Sequence, residues 1–115
     1  MSADARDDVL LEYIRESIDR IDEYTGGGHA RPLPGTMAED AVLRRLETLA
    51  DAASQLSERL TARHRNIPWR EVVAFRNVLA HGYIGIDPDL VWHVVTRDLP
   101  PLRSAVEEEL RRSGF

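Results

Sequence analysis

Residues 36–60, TMAEDAVLRRLETLADAASQLSERL, carry the pattern that decides the fold. Val42, Leu46, Leu49, Ala53, Leu56 and Leu60 alternate spacings of four and three, the seam of a helix packed lengthwise against its neighbours. Thr36 followed three residues later by Glu39 makes a Thr-x-x-Glu capping box, so the spacing predicts a long helix that opens at Thr36 and runs to Leu60. Ala50, Ala52 and Ala53 are small enough to let another helix approach closely. Asp51 among them either faces a site or bonds a neighbouring arginine.

The stretches on either side are helical too. Upstream, Leu10, Ile14, Ile18 and Ile21 recur at four, four and three within residues 5–24, with Leu11 and Tyr13 widening the stripe, which predicts a first helix. Four glycines and two prolines over residues 26–35 exclude any regular element there. Downstream, Pro68 closes a connection and Trp69 opens a helix whose Val72, Val73, Phe75, Leu79 and Ala80 form an apolar face too wide for one partner. One side of it can meet the bundle and the other a second subunit. Asp87-Pro88 predicts a short helix over Leu90, Val91, Val94 and Val95. Asp98-Leu99-Pro100-Pro101 predicts the cap and first turn of a last helix, with Leu102, Val106 and Leu110 buried and Glu107 to Glu109 in water. No long alternating pattern occurs, so the fold is expected to be all-α: an antiparallel bundle of about four or five helices, a single domain over residues 1–115.

Composition narrows the function classes. The 115 residues hold no cysteine, which excludes a disulfide framework and a thiolate metal site and favours a cytoplasmic home. Charges crowd the first twenty residues and no run approaches eighteen apolar residues, so neither a signal peptide nor a membrane span is expected. The net charge of −5 argues against a general nucleic-acid binder. Its distribution is uneven, however. Residues 1–24 carry eight acids and three arginines, whereas residues 59–76 carry Arg59, Arg63, Arg65, Arg70, Arg76 and His64 against Glu71 alone. Such a run is either a solvated face or a local attractor for phosphate.

The basic run leads into Phe75-Arg76-Asn77-Val78-Leu79-Ala80-His81-Gly82-Tyr83. Arg76 and His81 would stand roughly 140° apart on an unbroken helix. A left-handed turn at Gly82 would let His81 and Tyr83 fold back over the helix end near Arg76. A guanidinium suits phosphate oxygens, and an imidazole suits proton transfer near neutral pH. Together they suit cleavage of RNA by its own 2′-hydroxyl, which requires no metal; no cofactor is expected. One chain offers a single suitable histidine, so a two-fold dimer is expected to complete the site. Alternatively, His81 caps the helix carbonyls and does no chemistry. Metal hydrolysis by His29, His64, His81 and His93 is disfavoured, because no two of them stand four apart on a helix.

The Arg-x4-His-x-Tyr form, with Asn77 after the arginine, resembles the signature of the HepT-like branch of the HEPN superfamily. Ile67-Pro68-Trp69-Arg70, Asp87-Pro88-Asp89-Leu90-Val91-Trp92 and Asp98-Leu99-Pro100-Pro101-Leu102 resemble that family in order and spacing, over roughly residues 7–111. The chain departs from the family where a Gly-Glu pair is usual and Ala50-Asp51 stands instead. The resemblance implies a metal-independent endoribonuclease, the toxin of a toxin–antitoxin pair, with Arg76 and His81 catalytic. Asn77 would position the phosphate or the imidazole, and Asp51 would support the site. It further implies an MntA-like nucleotidyltransferase antitoxin that adds AMP to Tyr83. A helical subunit that binds RNA, nucleotide or the nucleotidyltransferase without cutting is the alternative; it would need Arg76 and not His81.

Overall fold

A computed structural model describes residues 3–81 and 85–115. Six helices follow one another: α1 (Ala3–Thr25), α2 (Met37–Ser54), α3 (Glu58–Ala62), α4 (Trp69–Ala80), α5 (Pro88–His93) and α6 (Leu99–Arg112). Among the described residues there is no strand. α2 packs along both α1 and α4, and α1 also packs along α6. Side-chain bonds fix the directions: Asp7 near the start of α1 reaches Ser57 beyond the end of α2. Asp19 and Asp22 in α1 hold Arg103 early in α6, while Asp8 holds Ser113 at its end. Both neighbours of α1 therefore run antiparallel to it. The core they enclose is built from Leu11, Ile14, Ile18 and Ile21, from Val42, Leu46 and Leu49, and from Leu102, Val106 and Leu110.

The apolar seam of residues 36–60 is buried to its end, yet it is not one helix. α2 stops at Ser54, and Ser57 caps a new short helix, accepting from Leu60 N. Asp7, itself buried, takes both the Ser57 amide (2.9 Å) and its hydroxyl (2.6 Å). A carboxylate from α1 thus satisfies donors that a continuous helix would have turned inward. Leu56 and Leu60 still reach the core because the break turns the chain without removing it from α1.

At the start of α2, Thr36 Oγ1 accepts from Glu39 N, but the Glu39 carboxylate takes the amide of Gly35 where a capping box would use that of Thr36. α1 ends at Thr25, which is buried, donates to the Ile21 carbonyl and accepts from Gly28 N. Gly26, Gly27 and Gly28 all have positive φ (56°, 74° and 86°), a path open to glycine at little cost.

The expected cap at Asp98 is absent. Asp98 has helical dihedrals and makes no side-chain cap bond; the chain instead passes from α5 into α6 through a π turn at Val94–Asp98, closed by Leu99 N donating to the Val94 carbonyl. Pro100 and Pro101 explain the wider turn. In a regular helix their rings would press on the carbonyls four residues earlier, at Thr96 and Arg97.

Candidate active site

The site is set by how α4 is held. At its N-terminal end the Trp69 indole donates to the carbonyls of Thr61 (3.1 Å) and His64 (3.0 Å). Near its other end Leu79 is fully buried. These two anchors fix the rotation of the helix and turn Arg76 toward the end of α2. There Arg76 Nη1 lies 3.3 Å from Asp51 Oδ1 and 3.3 Å from Ser54 Oγ. The Ser54 hydroxyl donates to the Asp51 carbonyl (2.6 Å), so it presents a lone pair to the arginine. Asp51 therefore bonds a neighbouring arginine, and that arginine is the one of the motif. Both side chains remain accessible, Arg76 at 37% and Asp51 at 55%, and an ion pair so exposed is worth only about 0–1 kcal/mol.

Asn77 is exposed on the next position. His81 is the C-cap of α4, with φ −86° and ψ 14°, and its amide bonds the Leu79 carbonyl. Its ring is exposed and makes no hydrogen bond or ion pair among the described residues. Because the chain keeps a near-helical course through His81, Asn77 and His81 project within roughly 40° of each other, whereas Arg76 and His81 leave the helix roughly 140° apart. The turn expected at Gly82 and the phenol of Tyr83 lie outside the described residues.

Much of the basic run is neutralised in the fold. Arg59 pairs with Asp4 and Arg63 with Glu109, leaving Arg65 and Arg70 exposed and unpaired among the described residues. Glu109, expected in water, is 4% exposed. Arg63 grips it through Nε to Oε2 (3.1 Å) and Nη2 to Oε1 (2.6 Å), and His64 Nε2 lies 2.7 Å from Oε2, which it shares with Arg63 Nε. The Arg63 hydrogen bond lowers the Glu109 pKa from the usual carboxylate value, burial opposes that, and the His64 bond adds to it. The same bond to Glu109 raises the Arg63 pKa. A histidine and a carboxylate this close resemble catalytic machinery, but with His64 only 6% exposed they are closed to a polymer and act as a tie between α3 and α6. His93 lies at the surface, 4.0 Å from Asp98. Among the described residues no cluster of three histidine or carboxylate side chains could hold a metal ion.

A groove of about 410 Å³ runs beside α4, walled by Leu46 and Leu49 of α2, by Val72, Phe75 and Val78 of α4, and by Leu102 of α6. Val78 is 49% exposed at its edge. At that edge α4 has apolar surface that the other described residues leave uncovered.

The chain matches the family described as Ribonuclease HepT-like over residues 14–109. It is 34% identical to a "Putative RNase" of Methanocaldococcus jannaschii, over 86% of this chain and 92% of that one. It is 33% identical to a "Probable ribonuclease HepT" of Thermococcus cleftensis, over 85% and 90%. A "Gamma-glutamylcyclotransferase and putative RNase" of Methanocaldococcus jannaschii is also 33% identical over 85% of this chain, which spans only 45% of that longer protein. No solved structure matches significantly.

Proposed function

The chain belongs to the HepT-like ribonuclease family, and from that premise we propose that it is a metal-independent endoribonuclease, the toxin of a toxin–antitoxin pair. The RNA 2′-oxygen attacks the adjacent phosphorus as one imidazole takes its proton. The P–O5′ bond breaks as a second imidazole protonates the leaving oxygen, giving a cyclic 2′,3′-phosphate and a free 5′-hydroxyl. Arg76 stabilises the charge that gathers on the phosphoryl oxygens, and Asn77, on the face of His81, orients the imidazole or the phosphate. The observation that carries this reading is the accessible guanidinium of Arg76, seated on the helix that ends in an exposed His81 with no side-chain partner among the described residues.

Two histidines require two chains. The uncovered apolar edge of α4 and its groove supply a surface for a second copy, which would bring a partner's α4 alongside and complete the site. Neutralisation rests on the family resemblance: an AMP group added to Tyr83, two residues beyond His81 in sequence, by a nucleotidyltransferase antitoxin would add phosphate charge to the motif and exclude RNA. The roughly 140° between Arg76 and His81 favours one other reading, a binding-only subunit in which Arg76 holds RNA phosphate and His81 is idle.

One experiment separates them. Purified protein is incubated with total RNA in chelator, alongside Arg76→Ala and His81→Ala, with a thermal melt of each and an arm pretreated with the partner nucleotidyltransferase and ATP. Both variants are expected to lose cleavage by about a hundredfold or more with melting unchanged, and AMP is expected on Tyr83 of an inactive product. Equal cleavage by His81→Ala would refute catalysis by that histidine; RNA binding without cutting, lost only in Arg76→Ala, would establish the second reading.

A further inference from the structure

The contacts around Arg76 extend beyond Asp51, and their polarity is fully determined. Arg6 Nη2 donates to Gln55 Oε1 (2.9 Å), and Gln55 Nε2 donates to Asp51 Oδ2 (3.2 Å). An arginine only donates and a carboxylate only accepts, so the Gln55 amide has one permitted orientation. With Asp51 Oδ2 taken by Gln55 and Oδ1 by Arg76, both oxygens of the carboxylate are engaged and its rotation is fixed. Arg76 is held from one side only. Both of its recorded bonds, to Asp51 and Ser54, leave from Nη1, and the Nε and Nη2 groups have no partner among the described residues. That open edge has the fork spacing that binds two oxygens of a phosphate at once.

We propose that Ser54 and Gln55 are positioning residues of the Arg76 site: by holding Nη1 directly and through Asp51, they present the Nε–Nη2 edge of the guanidinium to the scissile RNA phosphate. The inference rests on the ribonuclease reading. Neither residue touches substrate; Ser54 acts on Arg76, and Gln55 acts one bond further back, tied to α1 by Arg6. The arginine keeps its charge whatever they do, so ground-state attraction for RNA survives their loss. What is lost is alignment, which matters most when charge accumulates in the transition state.

The test is steady-state cleavage of a defined RNA by Ser54→Ala, Gln55→Leu, Ser54→Thr and Ser54→Ala combined with Arg76→Ala, with melts of all variants. Ser54→Ala is expected to lower kcat about three- to tenfold, the worth of one hydrogen bond, with KM within about twofold and melting unchanged. Ser54→Thr, which keeps the hydroxyl, restores kcat, Gln55→Leu shows a smaller loss of the same kind, and the double variant is no worse than Arg76→Ala alone. Wild-type kcat in Ser54→Ala, or a loss that adds to that of Arg76→Ala, would overturn the proposal while leaving the ribonuclease reading intact. If the wild type cuts no RNA, the ribonuclease reading fails on its own account. The Arg76 Nε–H resonance then decides the geometry: it is expected to be ordered in the wild type and averaged in Ser54→Ala, and equal mobility in the two overturns it.

Discussion

Arg63 with Glu109 and Arg76 with Asp51 are the same kind of ion pair in two environments. In the first, the carboxylate is 4% exposed and gripped at both oxygens, and a histidine 7% exposed shares one of them. In the second, the carboxylate is more than half exposed and the arginine is held through a single nitrogen. Burial makes the first pair obligatory, because removing either partner strands a charge or a polar ring away from water. Exposure makes the second pair cheap to open, because water and salt can take the place of each partner. A cation that must meet an incoming phosphate belongs in the second environment and would be useless in the first. The two histidines divide in the same way, His64 sealed against Glu109 and His81 in solvent.

The contrast is most directly broken at Glu109. Glu109→Ala is expected to destabilise the fold by about 2–4 kcal/mol, a fall in Tm on the order of 10–20 °C for a domain of this size, read by thermal or urea unfolding. The cost falls below that of a fully stranded buried pair because the Arg63 side chain is 33% exposed and can turn to water. A loss under about 1 kcal/mol would mean that the buried cluster is no more structural than the exposed one.

The same carboxylate should also leave a signature in pH. Its folded pKa lies below the unfolded value, chiefly through the Arg63 bond, so the stability it contributes is complete above the unfolded value of about 4.3 and is lost as pH falls through the lower folded value. Between neutral pH and about pH 5 Glu109 should therefore add no slope, and below that the wild type should lose stability more steeply than Glu109→Gln. Parallel curves down to pH 3 would show that the bonds to Arg63 and His64 do not favour the ionised form.

How much of this was legible in the sequence differs between the two regions for a physical reason. The bundle is readable because apolar periodicity is a local signal: the stripes of α2 and α6 are buried where their spacing puts them, and in α1 Leu11, Ile14, Ile18 and Ile21 are buried while Leu10 is half-buried and Tyr13 exposed. The break at Ser57 was not, since Leu56 and Leu60 keep the seam spacing and the decision is made by Asp7, fifty residues away. Glu107 and Glu108 make Glu109 read as solvent-facing, although its position carries the signal: it stands seven residues after Leu102 and three after Val106, on the buried stripe. The π turn resembles a helix start in sequence because prolines most often mark one. At the site, the motif pointed to Arg76, and the small residues around Asp51 suggested a close helix. Ser54 and Gln55 were missed because their roles depend on side chains from α1 and α4 that meet only in the fold.

The smallest expected effect is the sharpest test of the exposed half. Asp51→Asn keeps an oxygen at the Oδ1 position, removes the charge and takes from Gln55 Nε2 its acceptor at Oδ2, so it reports the charge together with one exposed hydrogen bond. With the arginine at 37% and the carboxylate at 55% exposure, that contribution is screened by solvent, and Asp51→Asn is expected to change unfolding free energy by less than about 0.5 kcal/mol. The difference should shrink further as ionic strength rises, because the pair lies within reach of mobile ions. A cost above about 1 kcal/mol that persists in high salt would make Asp51 and Arg76 a structural pair like Glu109 and Arg63. The arginine would then be bound too firmly by its own chain to serve as the phosphate's partner. A near-zero cost means instead that α2 and α4 are joined by their apolar faces, and that Arg76 is oriented by its neighbours without being consumed by them.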